Sequence, residues 1–109
     1  MGREGRLYGC PVELALDLLG GKWKTVIVAR LKERPLRYGE LRRSIPALSD
    51  KVLTQRLREL ADDGFVIAPS GEGDQAYRLS ARGRTLVPLL QSLFDWGLAS
   101  APDEGVRFR

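Results

Sequence analysis

Two short amphipathic segments separated by a proline-containing turn place the tightest constraint on how this chain can fold. The first, "YGELRRSI", covers residues 38–45, and Pro46 stops it because proline cannot continue a helix. The second, "SDKVLTQRLRELADDG", begins at Ser49, a good N-cap, and ends at Gly64, which accepts the left-handed conformation. Its apolar positions form one helical stripe: Leu53, Leu57 and Leu60. The sequence therefore predicts a helix, a tight turn and a second helix.

The face opposite this stripe carries hydrogen-bonding side chains instead of alternating glutamate and lysine: Lys51, Thr54, Gln55 and Arg58. In a helix-turn-helix the second helix lies in the major groove of DNA, where such groups read base edges or grip phosphate. Gln55 can bond an adenine edge bidentately, and Thr54 can bond a base or place its methyl against thymine. The two cations can take guanine or phosphate. The alternative is a face that only contacts solvent. The position of this helix after a tight turn and before a hairpin favours contact with DNA.

The segments on either side complete the pattern of a winged helix-turn-helix. The predicted elements, in order, are a helix at 11–19, a central helix at 22–33, a short strand at 36–37, the helix pair, a hairpin with an acidic tip at 65–79 and a helix at 80–100. Ser80 can cap the last helix, inside which Pro88 predicts a kink or a delayed start. We expect one domain over 1–109, mainly α with a small β-hairpin wing, and flexible tails at 1–7 and 100–109.

The residues that most enzymes and metal sites use are scarce in this chain. It has 109 residues, no histidine and one cysteine, Cys10, which removes the commonest general base, the commonest metal ligand and an intramolecular disulfide. Because recognisable carboxylate pairs and phosphate loops are also absent, an enzyme is the least supported class, and we expect no metal and no cofactor. The sequence has no run of about 18 apolar residues and no signal peptide, so we expect no membrane partner and a cytoplasmic location.

Positive charge is concentrated in the middle of the chain. Residues 30–58 hold nine basic and three acidic residues, a net charge of +6, whereas the rest holds nine basic and eleven acidic residues. Such a localised excess favours an anionic partner such as double-stranded DNA. Arg42, Arg43 and Tyr38 precede the second helix of the pair and are candidate phosphate contacts, with a solvated surface as the alternative. Arg78, on the returning strand of the hairpin, can approach the DNA backbone.

Several stretches of the sequence together resemble one family. They are "GGKW" at 20–23, "ELRR" at 40–43, "LTQRLREL" at 53–60 after a serine at 49, "DG" at 63–64, "LS" at 79–80 and "DWG" at 95–97. With these motifs the chain resembles the HxlR-type winged helix-turn-helix regulators, relatives of the MarR group, over about residues 8–98. The resemblance implies a homodimeric, sequence-specific bacterial transcription regulator.

The resemblance also implies that the dimer is joined through the first and last helices. The last helix carries more apolar surface than one face of a small domain needs, which supports a dimer independently. The predicted interface residues are Leu14, Leu18, Leu86, Leu90, Leu93 and Trp96. An ordinary core is the alternative for these side chains. An isologous pair of repressor subunits would set two recognition helices about one DNA turn apart, over an inverted repeat.

Cys10 lies where many HxlR-type proteins hold a thiol that senses oxidants, quinones or aldehydes. A thiol just ahead of a helix that begins at Pro11 feels the field of the helix N-terminus, which favours the reactive thiolate. Without a second cysteine, oxidation would yield an intersubunit disulfide, or an adduct with a small oxidant or electrophile. The alternative is a small, half-buried hydrophobic residue.

The hairpin departs from the family pattern. Its turn, "SGEGDQA", is brief and carries Glu72 and Asp74, which would repel phosphate, so we expect no arginine finger at this tip.

A winged helix that binds a protein instead of DNA is the competing function. The +6 segment and the polar face of the second helix favour DNA.

Overall fold

A computed structural model describes residues 3–108 of the chain. The elements are α1 (Pro11–Leu19), α2 (Lys22–Leu31), β1 (Leu36–Arg37), α3 (Tyr38–Ser44), α4 (Asp50–Asp62), β2 (Val66–Ile67), β3 (Ala76–Leu79), α5 (Ala81–Arg84) and α6 (Leu86–Glu104). This order confirms the predicted fold class, a winged helix-turn-helix that is mainly α with a small β wing.

The pair formed by α3 and α4 has well-defined helix starts. At α3, Glu40 Oε1 accepts a hydrogen bond of 2.9 Å from the backbone N–H of Arg37. At α4, the Ser49 hydroxyl accepts one of 3.2 Å from the Val52 N–H, as expected of an N-cap serine. The turn between the helices buries Ile45 and Leu48. The direction in which α4 leaves this turn is therefore fixed by apolar packing as well as by capping.

A three-stranded antiparallel sheet forms the wing and its base. Its strand order is β1-β3-β2, so the returning strand β3 lies in the middle. Leu36 of β1 is paired with Tyr77, and Val66 of β2 is paired with Leu79. The strand predicted before the helix pair thus joins the predicted hairpin in one sheet, which ties the wing to the helix pair.

Helix α2 occupies the centre of the fold, as its nearly all-round apolar sequence predicts. Ile27, Val28 and Leu31 are each at most 1% exposed and pack in one core with residues of α3, α4 and the sheet. Lys24 on the same helix is also buried, with 7% of its surface exposed. Its burial calls for a partner charge, because an unpaired ammonium is costly to bury.

The segment predicted as one helix from residue 80 is two helices. Ser80 caps only the short α5, where its hydroxyl accepts a 2.9 Å hydrogen bond from the Gly83 N–H. Helix α6 begins afresh at Leu86, so the delayed start was the correct alternative and Pro88 falls in the first turn, where a backbone N–H has no helical partner. Gly83 packs against Phe65 so closely that an added Cβ would meet the Phe65 carbonyl oxygen at 2.1 Å.

Both predicted tails differ from expectation where the structure describes them. Helix α6 continues to Glu104 and Ala101 is buried, so residues 100–104 are helical instead of loose. At the other end, Arg3 makes ion pairs with Asp17 in α1 and with Asp63, just after α4. Residues 1, 2 and 109 of the predicted tails lie outside the described residues.

Candidate nucleic-acid interface

Helix α4 divides into a buried face and an exposed face. Leu53, Leu57 and Leu60 are at most 2% exposed and anchor the helix to the core. The four polar side chains picked out in the sequence are all exposed and border one shallow surface: Lys51, Thr54, Gln55 and Arg58. The same surface includes three carboxylates to which the helical pattern gives no role: Asp50, Glu59 and Asp62. The polar face of α4 is thus a mixed surface in which acids set the positions of donors.

Asp50, the first residue of α4, gathers two candidate phosphate contacts from α3. The Tyr38 hydroxyl donates to Asp50 Oδ1 at 2.8 Å, and Arg42 Nε donates to the same oxygen at 2.9 Å. These two hydrogen bonds, with that from Tyr38 the larger cause, hold the pKa of the Asp50 carboxyl below its usual range. Tyr38 also lies near Thr54, with 3.4 Å between the two hydroxyl oxygens. Asp50 lies 8 residues after Arg42 and 12 residues after Tyr38, on a different helix. No helical period relates these positions, so the sequence could not reveal the cluster.

The basic side chains around this cluster differ in whether they form an ion pair within the protein. Arg42 is committed to Asp50, and its side chain is 33% exposed. Arg43, Lys51 and Arg58 are exposed and form no ion pair with any residue between 3 and 108. Their side chains therefore face solvent, where they can neutralise DNA phosphates and release the counterions condensed on the DNA.

Glu59 connects the exposed face of α4 with the interior. Its Oε1 lies 2.5 Å from Arg56 Nη1 and 3.5 Å from the buried Lys24 Nζ. Its Oε2 accepts a hydrogen bond of 3.4 Å from Gln55 Nε2. The pKa of Glu59 is lowered, chiefly by the hydrogen bond from Arg56. Because Glu59 engages the Gln55 amide nitrogen, it restrains the side chain that we expect to read adenine.

The charges of the wing are largely satisfied within the wing. Arg78 Nη2 donates to Asp74 Oδ2 at 3.1 Å, and Asp74 Oδ1 accepts from the Ala76 N–H at 3.1 Å. The tip, residues 71–74, is exposed. An arginine neutralised by a nearby acid offers less attraction to a phosphate than a free one.

Cys10 is exposed and immediately precedes α1. Its carbonyl accepts a 3.0 Å hydrogen bond from the Glu13 N–H, and Glu13 Oε2 in turn accepts one of 3.1 Å from the Gly9 N–H. The carboxylate of Glu13 thus shares the N-terminal turn of α1 with the thiol. Exposure makes the thiol accessible to small reagents.

A strap formed by residues 3–8 joins α1 to the end of α4. Arg3 Nε lies 3.0 Å from Asp17 Oδ2 in α1, and its Nη1 lies 2.8 Å from Asp63 Oδ1, just after α4. The Tyr8 hydroxyl donates to Asp17 Oδ2 at 2.6 Å. This bond, followed by that from Arg3, lowers the pKa of Asp17. Sequence reasoning missed the strap, because it joins residues 14 and 60 positions apart.

The predicted interface leucines fall into two groups. Leu18, Leu86 and Leu90 pack against the core and so serve the monomer at least in part. The others are exposed, with Leu14 at 37%, Leu93 at 50% and Trp96 at 74%. Further apolar side chains of α1 and α6 are also exposed: Val12, Leu16, Leu89, Phe94 and Leu98. The structure therefore leaves much of the apolar surface of both α1 and α6 exposed.

Between residues 3 and 108, no group of three or more histidine, cysteine, aspartate and glutamate side chains is placed to hold a metal ion. Over the same range, no helix has the length and apolar character that crossing a membrane requires.

Fold and exposed face together define a winged helix-turn-helix of the DNA-binding kind. Residues 18–104 match the family described as HxlR-like helix-turn-helix, and the chain belongs to that family. It is a helix-turn-helix transcriptional regulator with a MarR-like fold.

Relatives and solved structures agree with this assignment. The chain is 37% identical over 93 residues to an HTH-type transcriptional regulator of Methanothermobacter thermautotrophicus, covering 83% of this chain and 71% of the relative. It is similar to the reduced form of the redox regulator HypR, with a TM-score of 0.77, 35% identity and coverage of 84% of this chain and 93% of HypR. It is also similar to quinone-bound YodB from Bacillus subtilis, with a TM-score of 0.71, 32% identity and coverage of 81% and 97%.

Proposed function

We propose that this protein is a homodimeric repressor, not an enzyme, that reads an inverted repeat in double-stranded DNA through α4. The observation that carries the proposal is the division of α4 into a face locked in the core and a face of exposed donors. A helix held in this way presents its polar side chains at fixed positions, which recognition of base edges requires. The cations Lys51, Arg58 and Arg43 supply the attraction to phosphate.

Selection of bound sequences from a random pool of duplex DNA tests this function. We expect enrichment of an inverted repeat whose half-sites lie about one helical turn apart. An absence of binding to any duplex, even at low salt, would contradict the proposal and favour a winged helix that binds a protein.

Two variants separate base reading from phosphate contact. Gln55→Ala should weaken binding to the selected sequence by roughly 1–3 kcal/mol while changing binding to random DNA little. Arg43→Ala should weaken both and reduce the magnitude of the salt slope by about 1. Equal losses on both DNAs for Gln55→Ala would argue against base reading by that side chain.

The dimer in this proposal uses the apolar face of α1 and α6. Exposed contiguous apolar surface is typical of a protein interface, and two copies related by a twofold axis would cover it mutually. Light scattering should give a dimer for the natural chain and a monomer for the double variant Leu93→Glu and Trp96→Glu. Ile67→Glu is the matched control, because Ile67 is also 50% exposed but lies on β2 of the wing. A dimer that survives the double variant would exclude this face.

A redox or electrophile response through Cys10 is the second part of the proposal. Its support is the exposed thiol, together with the similarity to structures of the redox regulator HypR and of quinone-bound YodB. With diamide, two Cys10 thiols of a dimer would form a disulfide, and their two electrons and two protons would reduce the diazene to a hydrazine. With a quinone, the thiolate would add to the ring and form a thioether.

Cys10→Ser tests this response directly. The variant should bind DNA as the natural chain does, but its binding should no longer change on treatment with diamide or a quinone. A retained response would place the sensor at another residue.

A further inference from the structure

Three side chains form a series of polar contacts where α3 meets the start of α4, the recognition helix: Thr54, Tyr38 and Asp50. We infer that this series fixes the Thr54 hydroxyl as a hydrogen-bond acceptor in the major groove. Thr54 then selects a base that presents an exocyclic amine in the major groove, adenine or cytosine. This inference rests on the proposed function and goes beyond it, because it states which base chemistry one residue recognises.

The direction of the series begins at Asp50. Its Oδ1 accepts hydrogen bonds from both the Tyr38 hydroxyl at 2.8 Å and Arg42 Nε at 2.9 Å, and these bonds favour the ionised carboxylate. The second Asp50 oxygen near Tyr38, its backbone carbonyl at 3.4 Å, is also an acceptor. A carboxylate and a carbonyl can only accept, so the single hydroxyl proton of Tyr38 points to Asp50.

The direction then passes to Thr54. Because the Tyr38 proton is used, the Tyr38 oxygen can only accept from the Thr54 hydroxyl. The two hydroxyl oxygens are 3.4 Å apart, longer than a usual O–H···O hydrogen bond, so this is the weaker link of the series. Thr54 has one hydroxyl proton, and donating it to Tyr38 leaves only lone pairs for another partner. Thr54 is exposed on the face of α4 that borders Lys51 and Gln55, so those lone pairs are open to a ligand.

The major groove offers such an acceptor few partners. Its hydrogen-bond donors are the amines at adenine N6 and cytosine N4, whereas guanine O6, N7 and thymine O4 are acceptors. A threonine with a free hydroxyl can bond either kind, because it can rotate its proton. Tyr38, which belongs to α3 and not to the recognition helix, therefore decides which kind of base edge Thr54 reads.

The test begins with selection from random duplex DNA for the natural chain and for Thr54→Val, which keeps the shape but loses the hydroxyl. The position whose base preference changes between the two is the position that Thr54 reads. In the selected duplex, the adenine or cytosine at that position is then replaced by its analogue without the amine, purine or 2-pyrimidinone. We expect the natural chain to bind this duplex roughly threefold to tenfold more weakly, and Thr54→Val to bind both duplexes equally.

Tyr38→Phe provides the second arm, because phenylalanine keeps the ring but cannot accept from Thr54. The Thr54 proton is then free to turn toward the DNA, so the preference for the amine should fall to within about twofold. Tyr77→Phe is the matched control. Its hydroxyl makes no hydrogen bond within residues 3–108, and it should keep the preference of the natural chain.

The outcomes separate this inference from the proposed function. An enriched sequence whose binding is unchanged when the amine is removed would overturn the inference and leave the regulator intact. Identical selected sequences for the natural chain and Thr54→Val would do the same. If no sequence is enriched, the proposed function fails, and the inference fails with it.

Discussion

Replacing Glu59 by glutamine tests how much the ion pair between Glu59 on α4 and the buried Lys24 contributes to the free energy of unfolding. The Lys24 side chain is 8% exposed, and its Nζ lies 3.5 Å from Glu59 Oε1. At that distance and an effective dielectric constant near 20, the attraction is about 5 kcal/mol. Lys24 and Glu59 both line a crevice that is open to water. When the charge of Glu59 is removed, this water solvates the Lys24 ammonium and offsets part of the lost attraction. We therefore expect the free energy of unfolding to fall by about 3 kcal/mol, at the lower end for a broken buried pair.

The opposite substitution should be far milder. In Lys24→Met, Glu59 is 35% exposed and keeps Arg56 at 2.5 Å, so no charge is left buried and alone. Methionine fills the space of the lysine stem, and the change in the free energy of unfolding should stay within about 1 kcal/mol. The double variant should be close to Lys24→Met in stability, because the amine that needs Glu59 is gone.

Urea denaturation followed by circular dichroism, at one fixed protein concentration, checks these values. A shifted midpoint with an unchanged slope reports stability alone, and each kcal/mol should also lower Tm by about 4–8 °C. Glu72→Gln at the exposed wing tip is the control, with an expected effect within about 0.5 kcal/mol. A loss below about 1 kcal/mol for Glu59→Gln, or a larger loss for Lys24→Met than for Glu59→Gln, would refute the reasoning.

Three further changes have definite expected outcomes. Gly83→Ala should lower the free energy of unfolding by about 3 kcal/mol in the same urea assay, because its Cβ would meet the Phe65 carbonyl oxygen at 2.1 Å. Stability should be level at neutral pH and fall below about pH 4, since the pKa of Asp17 is lower in the folded chain than its ordinary value of 3.8. Its contribution is complete above the unfolded pKa and is lost as the pH falls through the folded pKa. A pH titration of the natural chain beside Asp17→Asn, which should lose part of that dependence, checks this. Asp74→Asn should strengthen binding to random DNA about twofold in a salt titration, because it removes a repelling charge and frees Arg78.

Local patterns predicted the helix pair and the faces of α4 well. Helical periodicity separates Leu53, Leu57 and Leu60 from the polar side chains, and the structure buries the first group and exposes the second. The cap at Ser49 is equally local, since its partner lies three residues away. Features that depend on neighbours within one or two helical turns could therefore be predicted from the sequence alone.

Contacts between residues far apart in the chain leave no local pattern and could not be predicted from the sequence. The sequence around Lys24 gives no sign that this lysine is buried, and only its position beside Glu59, 35 residues later, explains its burial. In the sequence Asp50 is one of three acids in the basic segment. Only the turn between α3 and α4 brings Tyr38 and Arg42 within hydrogen-bond distance of it. Pro88 indicated a kink or a delayed start, but the sequence did not locate the break between α5 and α6, because Ser80 is a valid cap whether the helix after it is short or long.

The strap at the start of the chain has a practical consequence for anyone who handles this protein. Arg3 braces the end of the recognition helix through Asp63 and holds α1 through Asp17. A purification tag or a fluorescent fusion placed ahead of residue 1 would be attached two residues from that brace. Measured DNA affinities would then depend on the design of the fusion, so values from tagged and untagged protein should be compared before either is interpreted.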